Sequence, residues 1–161
     1  MRYKSVDEIN NFSFRDCELI EFEVNPEGIK LQVEALIVLP DNSQNSNFTE
    51  SYAGTTEIRL VGGSITSAVK DGYKYYNADD VLIKEVPDTP LTDTEIISVL
   101  KNIKSAYLYK VEKNSNSYTL SIEFSDEDDY NTALDSYTLK IQADKDIVEW
   151  DIYMNRVQNN Y

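Results

Sequence analysis

Period-two alternation of apolar and polar residues constrains this chain more than any other feature. Ile20, Phe22 and Val24 alternate with Glu21 and Glu23. Asn25-Pro26-Glu27-Gly28 then reads as a turn, with glycine where a positive φ is needed. Beyond it, Ile29, Leu31, Val33, Ala35 and Ile37 alternate with Lys30, Gln32 and Glu34. Ile58 and Leu60 alternate with Glu57 and Arg59, and Gly62-Gly63 reads as a hairpin turn into 65–69. The C-terminal third repeats the habit. Tyr107, Tyr109 and Val111 lead to a turn at 114–116, followed by Tyr118, Leu120, Ile122 and Phe124. Tyr137, Leu139 and Ile141 come next, then Val148, Trp150 and Ile152. Successive side chains of a strand point to opposite faces, so this pattern marks antiparallel strands with one buried and one wet face.

Two segments depart from that period. Thr92 followed by Glu95 makes a capping box, and Leu91 and Ile96 have the spacing of a hydrophobic staple. Ile96, Leu100 and Ile103, with Ile97 beside them, form one apolar stripe at helical spacing. Asp93 and Glu95 begin the segment while Lys101 and Lys104 end it, which suits the helix dipole. The expectation is a helix over about 93–104, and a shorter one over about 6–12 behind Ser5.

The expected fold is therefore strand-dominated α+β, with about eight antiparallel strands and these two helices. The order of elements suggests two α-β-β-β-β units, over about 5–71 and 91–154. In each, a helix leads to a tight hairpin, a polar loop (about 40–52, then about 125–136) and a second, closing hairpin. Residues 72–88 join the two units. A chain of 161 residues is expected to be one domain.

Composition removes much of the usual chemistry. There is no histidine, and Cys17 is the one cysteine. Ser-His and Cys-His nucleophile pairs and His-bearing zinc sites are excluded. No disulfide forms within the chain, and Cys17 reads as a small packed residue in a reducing compartment. Twenty-nine acidic residues against 15 basic ones give a net charge of -14. That balance repels a phosphate backbone and an anionic membrane, so neither nucleic acid nor membrane is an expected partner. A basic protein fits the charge, although acidity also serves plain solubility. Met1 to Glu8 carries two basic residues without an apolar run behind them, so no signal peptide is expected there, and the cytoplasm is the expected location.

Residues 123–135 hold six acidic side chains and no basic one, centred on Asp126, Glu127, Asp128 and Asp129. Tested as a calcium loop, Asp126 and Asp128 take the first and third positions. Tyr130 then replaces the third ligand, and Tyr137 stands where the closing glutamate belongs. A solvated, self-repelling loop is the better reading, and no metal or cofactor is expected. Gly62-Gly63 lacks the Gly-Lys-Ser/Thr ending of a phosphate loop. Paired carboxylates act on glycosidic bonds, but no spacing here selects a pair.

Twelve tyrosines include the cluster Tyr73, Tyr75 and Tyr76, followed by Asp79 and Asp80. Tyrosine supplies a large, stiff contact area with a polar tip, and flanking carboxylates suit a lysine- or arginine-rich partner. The competing reading is that the rings merely cap a sheet.

The segment Asn11-Phe12-Ser13-Phe14-Arg15-Asp16-Cys17-Glu18-Leu19 resembles the opening of small uncharacterised bacterial proteins. In those, a short helix leads through a Phe-His-Asp-small-x-aliphatic segment into a β-meander, and some are described as immunity-like proteins of toxin systems. Arg15 stands where the histidine is usual, and Phe14 and Asp16 occupy motif positions. The expected function is a non-enzymatic binding protein of the immunity type that neutralises a basic protein. The alternatives are an accessory or structural domain and a carboxylate-based glycoside hydrolase. The expected docking residues are Tyr73, Tyr75, Tyr76, Asp79, Asp80 and Asp126 to Asp129.

Overall fold

The computed structural model describes residues 1–124 and 135–156. The first strands are β1 (Tyr3–Val6), β2 (Phe12–Ser13), β3 (Glu18–Asn25), β4 (Gly28–Glu34), β5 (Ile37–Val38) and β6 (Ser51–Ala53). Then come β7 (Thr56–Val61), β8 (Ser64–Lys70), β9 (Tyr73–Tyr76), β10 (Leu82–Val86) and β11 (Thr89–Pro90). The helix α1 (Asp93–Lys101) precedes β12 (Ala106–Asn114), β13 (Ser117–Phe124), β14 (Asp135–Gln142), β15 (Lys145–Trp150) and β16 (Tyr153–Arg156). The fold is α+β, dominated by antiparallel strands, as expected. Sixteen strands among the described residues replace the expected eight, because short segments inside the polar stretches also pair.

A ten-stranded antiparallel sheet runs in the order β1-β15-β7-β4-β3-β12-β13-β14-β8-β11. That order reads the same from either edge when β1 is matched to β11, β15 to β8, β7 to β14, β4 to β13, and β3 to β12. Register obeys the same correspondence. Leu19↔Val33, Phe22↔Leu31 and Asn25↔Gly28 recur as Leu108↔Ile122, Val111↔Leu120 and Asn114↔Ser117. Each hairpin carries one irregularity at the same place, between Leu19 and Glu21 and between Leu108 and Lys110. The pair Glu18↔Tyr107 stands where the halves meet.

The closing hairpins expected from the sequence do not form. β7 pairs with β4 and β15, and β8 with β14 and β11, so the fourth strand of each half crosses to the other half. Gly62 makes room for this exchange. Its φ is +66°, and a Cβ there would lie 2.6 Å from the Asp144 carboxylate, where the chain enters β15.

Alternation is obeyed along β4, β7, β13 and β14, but in β3 and β12 the irregularity shifts its phase. Leu19, Ala106 and Leu108 are buried, while Ile20, Tyr107 and Tyr109, expected on the inner face, are exposed, as is Val24. Leu31, Val33, Ile58, Leu60, Leu120, Ile122, Leu139 and Val148 are buried on one face, while Lys30, Gln32, Arg59 and Thr119 keep contact with water on the other. A small sheet of order β16-β6-β5-β2 brings Phe12, Ile37, Val38 and Ala53 into the buried set, and α1 adds Ile96 and Leu100. Phe12, Phe14, Trp150, Tyr118 and Ile96 belong to one continuous core.

The capping box on α1 is present. Thr92 Oγ1 accepts from Glu95 N at 3.2 Å, and Thr92 N donates to Glu95 Oε1 at 3.1 Å. The helix ends at Lys101, three residues short of expectation, because Asn102 leaves helical dihedrals and its N–H turns back to Val99 O. The short N-terminal helix does not form. Ser5 and Val6 pair instead with Val148 and Ile147, and Ser5 Oγ donates to the Glu8 side chain rather than capping a helix. Only a 3-10 turn, Ile9–Asn11, remains.

Candidate functional site

Residues 72–88, expected as a connection, form an arm. β9 and β10 pair antiparallel, with Tyr73↔Val86, Lys74↔Glu85, Tyr75↔Lys84 and Tyr76↔Leu82. The arm prolongs the β8–β11 pair, which ends at Thr89↔Lys70. Gly72 closes the joint: its N–H donates to Asp88 Oδ1 at 2.6 Å, and a Cβ there would lie 2.0 Å from Val86 O. At the tip, Asn77 Oδ1 accepts from the N–H groups of Asp79 and Val81 at 2.9 and 3.0 Å. Asp80 takes a φ of +60°, which its short side chain tolerates.

Directly opposite residues share a face, so the arm has two. One carries Tyr73, Tyr75, Lys84 and Val86. The Tyr73 and Tyr75 rings meet edge to face at 5.1 Å, with Lys84 Nζ 5.6 Å from the Tyr73 ring centre. The other carries Lys74, Tyr76, Leu82 and Glu85, with Lys74 Nζ 3.7 Å from Glu85 Oε1. Neither face is buried. Tyr73, Tyr75, Tyr76, Val81, Leu82 and Ile83 are all exposed, Ile83 to 65%. The tyrosines therefore do not cap the large sheet. The structure brings Tyr73, Tyr75, Tyr76, Asp79 and Asp80 onto one projection; Asp126, Glu127, Asp128 and Asp129 lie outside the described residues.

Tyr73 has a counterpart. Lys70 pairs with Tyr137 and Thr89 as Trp150 pairs with Thr56 and Tyr3, so Tyr73 corresponds in position to Tyr153. Tyr153 is covered: its ring packs on Tyr3 at 4.9 Å and Trp150 at 5.9 Å, and its hydroxyl donates to Gln44 O at 2.7 Å. β16, which carries it, pairs with β6. Among the described residues, β9 pairs only with its own hairpin mate.

A charged cluster that sequence reasoning missed lies beneath the N-terminal turn. Lys113 Nζ is 3.1 Å from Asp7 Oδ1 and 3.3 Å from Asp146 Oδ2. Tyr118 donates its hydroxyl to Asp146 Oδ2 at 2.7 Å, and Asp146 N donates to Asp7 Oδ1 at 3.1 Å. Burial pulls the Lys113 ammonium down, but hydrogen bonds to Asp7 and Tyr118 and the charge of Asp146 outweigh it and hold it above its ordinary value. Burial, then the Asp146 carboxylate, push the Tyr118 phenol up. A lysine held protonated is no nucleophile, so this cluster reads as a clamp fixing the Ile9–Asn11 turn to the β12–β13 hairpin. Cys17 is equally inert: it is buried, and burial followed by the Glu18 charge push its thiol up. Asp16 accepts the Tyr52 hydroxyl at 2.7 Å.

No family model matches this sequence, and no characterised protein or solved structure matches it either. Among the described residues no helix is long and apolar enough to cross a membrane.

Proposed function

We propose that this is a non-enzymatic binding protein that docks a basic protein partner through the arm β9–β10. The observation that carries the reading is the contrast between Tyr73 and Tyr153. At matching positions, the Tyr153 ring packs on Tyr3 and Trp150 from a strand of the small sheet, while Tyr73 stands on the arm beside five further exposed large apolar side chains. Isolated two-stranded hairpins are marginal in water, and exposed apolar patches of this kind serve contacts. The partner's sign follows from charge. A net charge of -14 opposes self-association and draws a cationic protein, while Asp79 and Asp80 rim the aromatic tip. The resemblance of Asn11 to Leu19 supports the finer reading of an immunity-type protein acting in the cytoplasm against a basic toxin.

The test compares the full-length protein with a Tyr73→Ala/Tyr75→Ala/Ile83→Ser variant as immobilised bait for proteins of the source cell. The wild type is expected to retain a defined basic protein, with an association rate that falls steeply between about 50 and 500 mM salt. The variant should keep its melting temperature and lose the partner. Equal retention by both baits, or association indifferent to salt, overturns the reading. Concentration-dependent light scattering that the variant abolishes would replace the foreign partner with a second copy.

A further inference from the structure

A groove of about 530 Å³ lies beside the β3–β4 pair, away from the arm. Its polar wall is Glu18 and Glu34, with Tyr52 nearby; its apolar side is Ala35, Ile152 and Met154. Ile152 and Met154 are each 58% exposed, so the apolar side meets water. Ile152 is seated on Gly54, where a Cβ would come within 2.9 Å of its Cγ1.

Glu18 and Glu34 are direct cross-strand partners. Such partners hold their Cβ atoms about 4.5–5.5 Å apart, and like charges there repel. Among the described ion pairs none includes either glutamate. Arg15, three residues before Glu18, is committed elsewhere, to Asp16 at 3.6 Å and Glu50 at 3.4 Å. Among the described hydrogen bonds, Glu34 has a long contact from Thr55 Oγ1 at 3.5 Å. On its other side Glu18 faces Tyr107, whose ring is exposed. Among the described side chains the fold thus holds two facing carboxylates, with no cation paired to them, at the rim of an apolar slot.

We infer that this groove takes an arginine side chain presented by the partner protein. The chemistry selects that occupant. Calcium and magnesium take six or more oxygen ligands, of which two glutamates supply a minority. An arginine stem lies along apolar surface while its head reaches polar groups, which matches Ile152 and Met154 leading to the carboxylates. The guanidinium is planar and carries five donors, so it engages two carboxylates at once and stacks on an aromatic face such as Tyr107. A lysine ammonium is a compact point charge and offers no such fork. The site rests on the reading of a basic protein partner only for where the arginine comes from.

The test is a titration of the full-length protein with the peptide Gly-Arg-Gly, its lysine analogue and its neutral citrulline analogue. It is followed by NMR at the methyl groups of Ile152 and Met154. The arginine peptide is expected to shift both signals saturably and more weakly as salt rises, the lysine peptide to bind less tightly, and citrulline to leave them unmoved. Glu18→Gln and Glu34→Gln should each weaken the arginine peptide roughly tenfold while melting at or above the wild-type temperature. The inference is overturned by equal responses to arginine and citrulline, by lysine binding as tightly as arginine, or by no saturable response at millimolar peptide. Binding that survives the Glu18→Gln/Glu34→Gln double substitution overturns it too. The Tyr73→Ala/Tyr75→Ala variant should titrate as the wild type does, so the arm reading and the groove fail separately.

Discussion

Lys113 Nζ lies 3.3 Å from Oδ2 of Asp146, a side chain with no exposed surface. Lys113→Met removes the charge that keeps that carboxylate tolerable in the interior and leaves Tyr118 as its remaining side-chain donor. Breaking a buried pair from one side costs about 3–5 kcal/mol. Urea unfolding should show a loss of that order for Lys113→Met. The double variant Lys113→Met/Asp146→Asn should recover a large part of it, because the stranded charge is gone.

Acid should weaken the same corner of the molecule. Burial pushes the Asp7 carboxyl up, but hydrogen bonds from Lys113 and Asp146 N–H and the nearby lysine charges bring it below its ordinary 3.8. Burial likewise raises Glu8, and the donors Ser43, Ser5 and Asn11 bring it below 4.5. Both carboxyls hold protons less tightly folded than unfolded. Their stabilisation is therefore present above the ordinary carboxylate values and is lost as pH falls through the lowered ones. A stability–pH curve should decline below about pH 4, and Glu8→Gln should lower the neutral plateau while flattening that decline.

Glu34→Gln should stabilise the protein. It removes one of two like charges standing directly across β3 and β4 and keeps the side chain's shape. Cross-strand pair energies put the gain at about 0.2–1 kcal/mol, readable as a raised melting temperature that shrinks at high salt.

Gly72→Ala should loosen the arm and spare the body. A methyl group there meets Val86 O at 2.0 Å, which is backbone and has little freedom to yield. Hydrogen exchange is expected to quicken at β9 and β10, while Leu120 and Ile122 in β13 keep their protection and partner binding is lost. Unchanged exchange at Tyr73 to Tyr76 would show that the joint has other ways to close.

Much of the fold was legible because its signals are local. The capping box at Thr92 and Glu95 needs four consecutive residues, and alternation through β4 and β13 needs only one strand at a time. The N-terminal helix misled for a local reason as well: Ser5 matches a cap, yet its hydroxyl goes to Glu8 once β1 pairs with β15. One signal for the buried cluster was present and unread. Asp146 stands in phase with Val148 and Trp150, a charge at a position where alternation demands an apolar residue.

By itself the sequence determined the long strands of the large sheet, the buried face of β4, β7, β13 and β14, where the helix starts, and that any partner must tolerate strong negative charge. These follow from side-chain period, backbone capping and composition, all of which are properties of neighbours along the chain. Only the tertiary structure decided that β8 and β15 change places between the halves, that Tyr73 stands on an exposed arm where Tyr153 packs on Tyr3 and Trp150, and that Glu18 faces Glu34. Strand pairing joins residues far apart in the chain. A Gly-Gly connection serves a hairpin or a crossing equally well, so the choice rests with whichever sheet edge is free to receive the next strand.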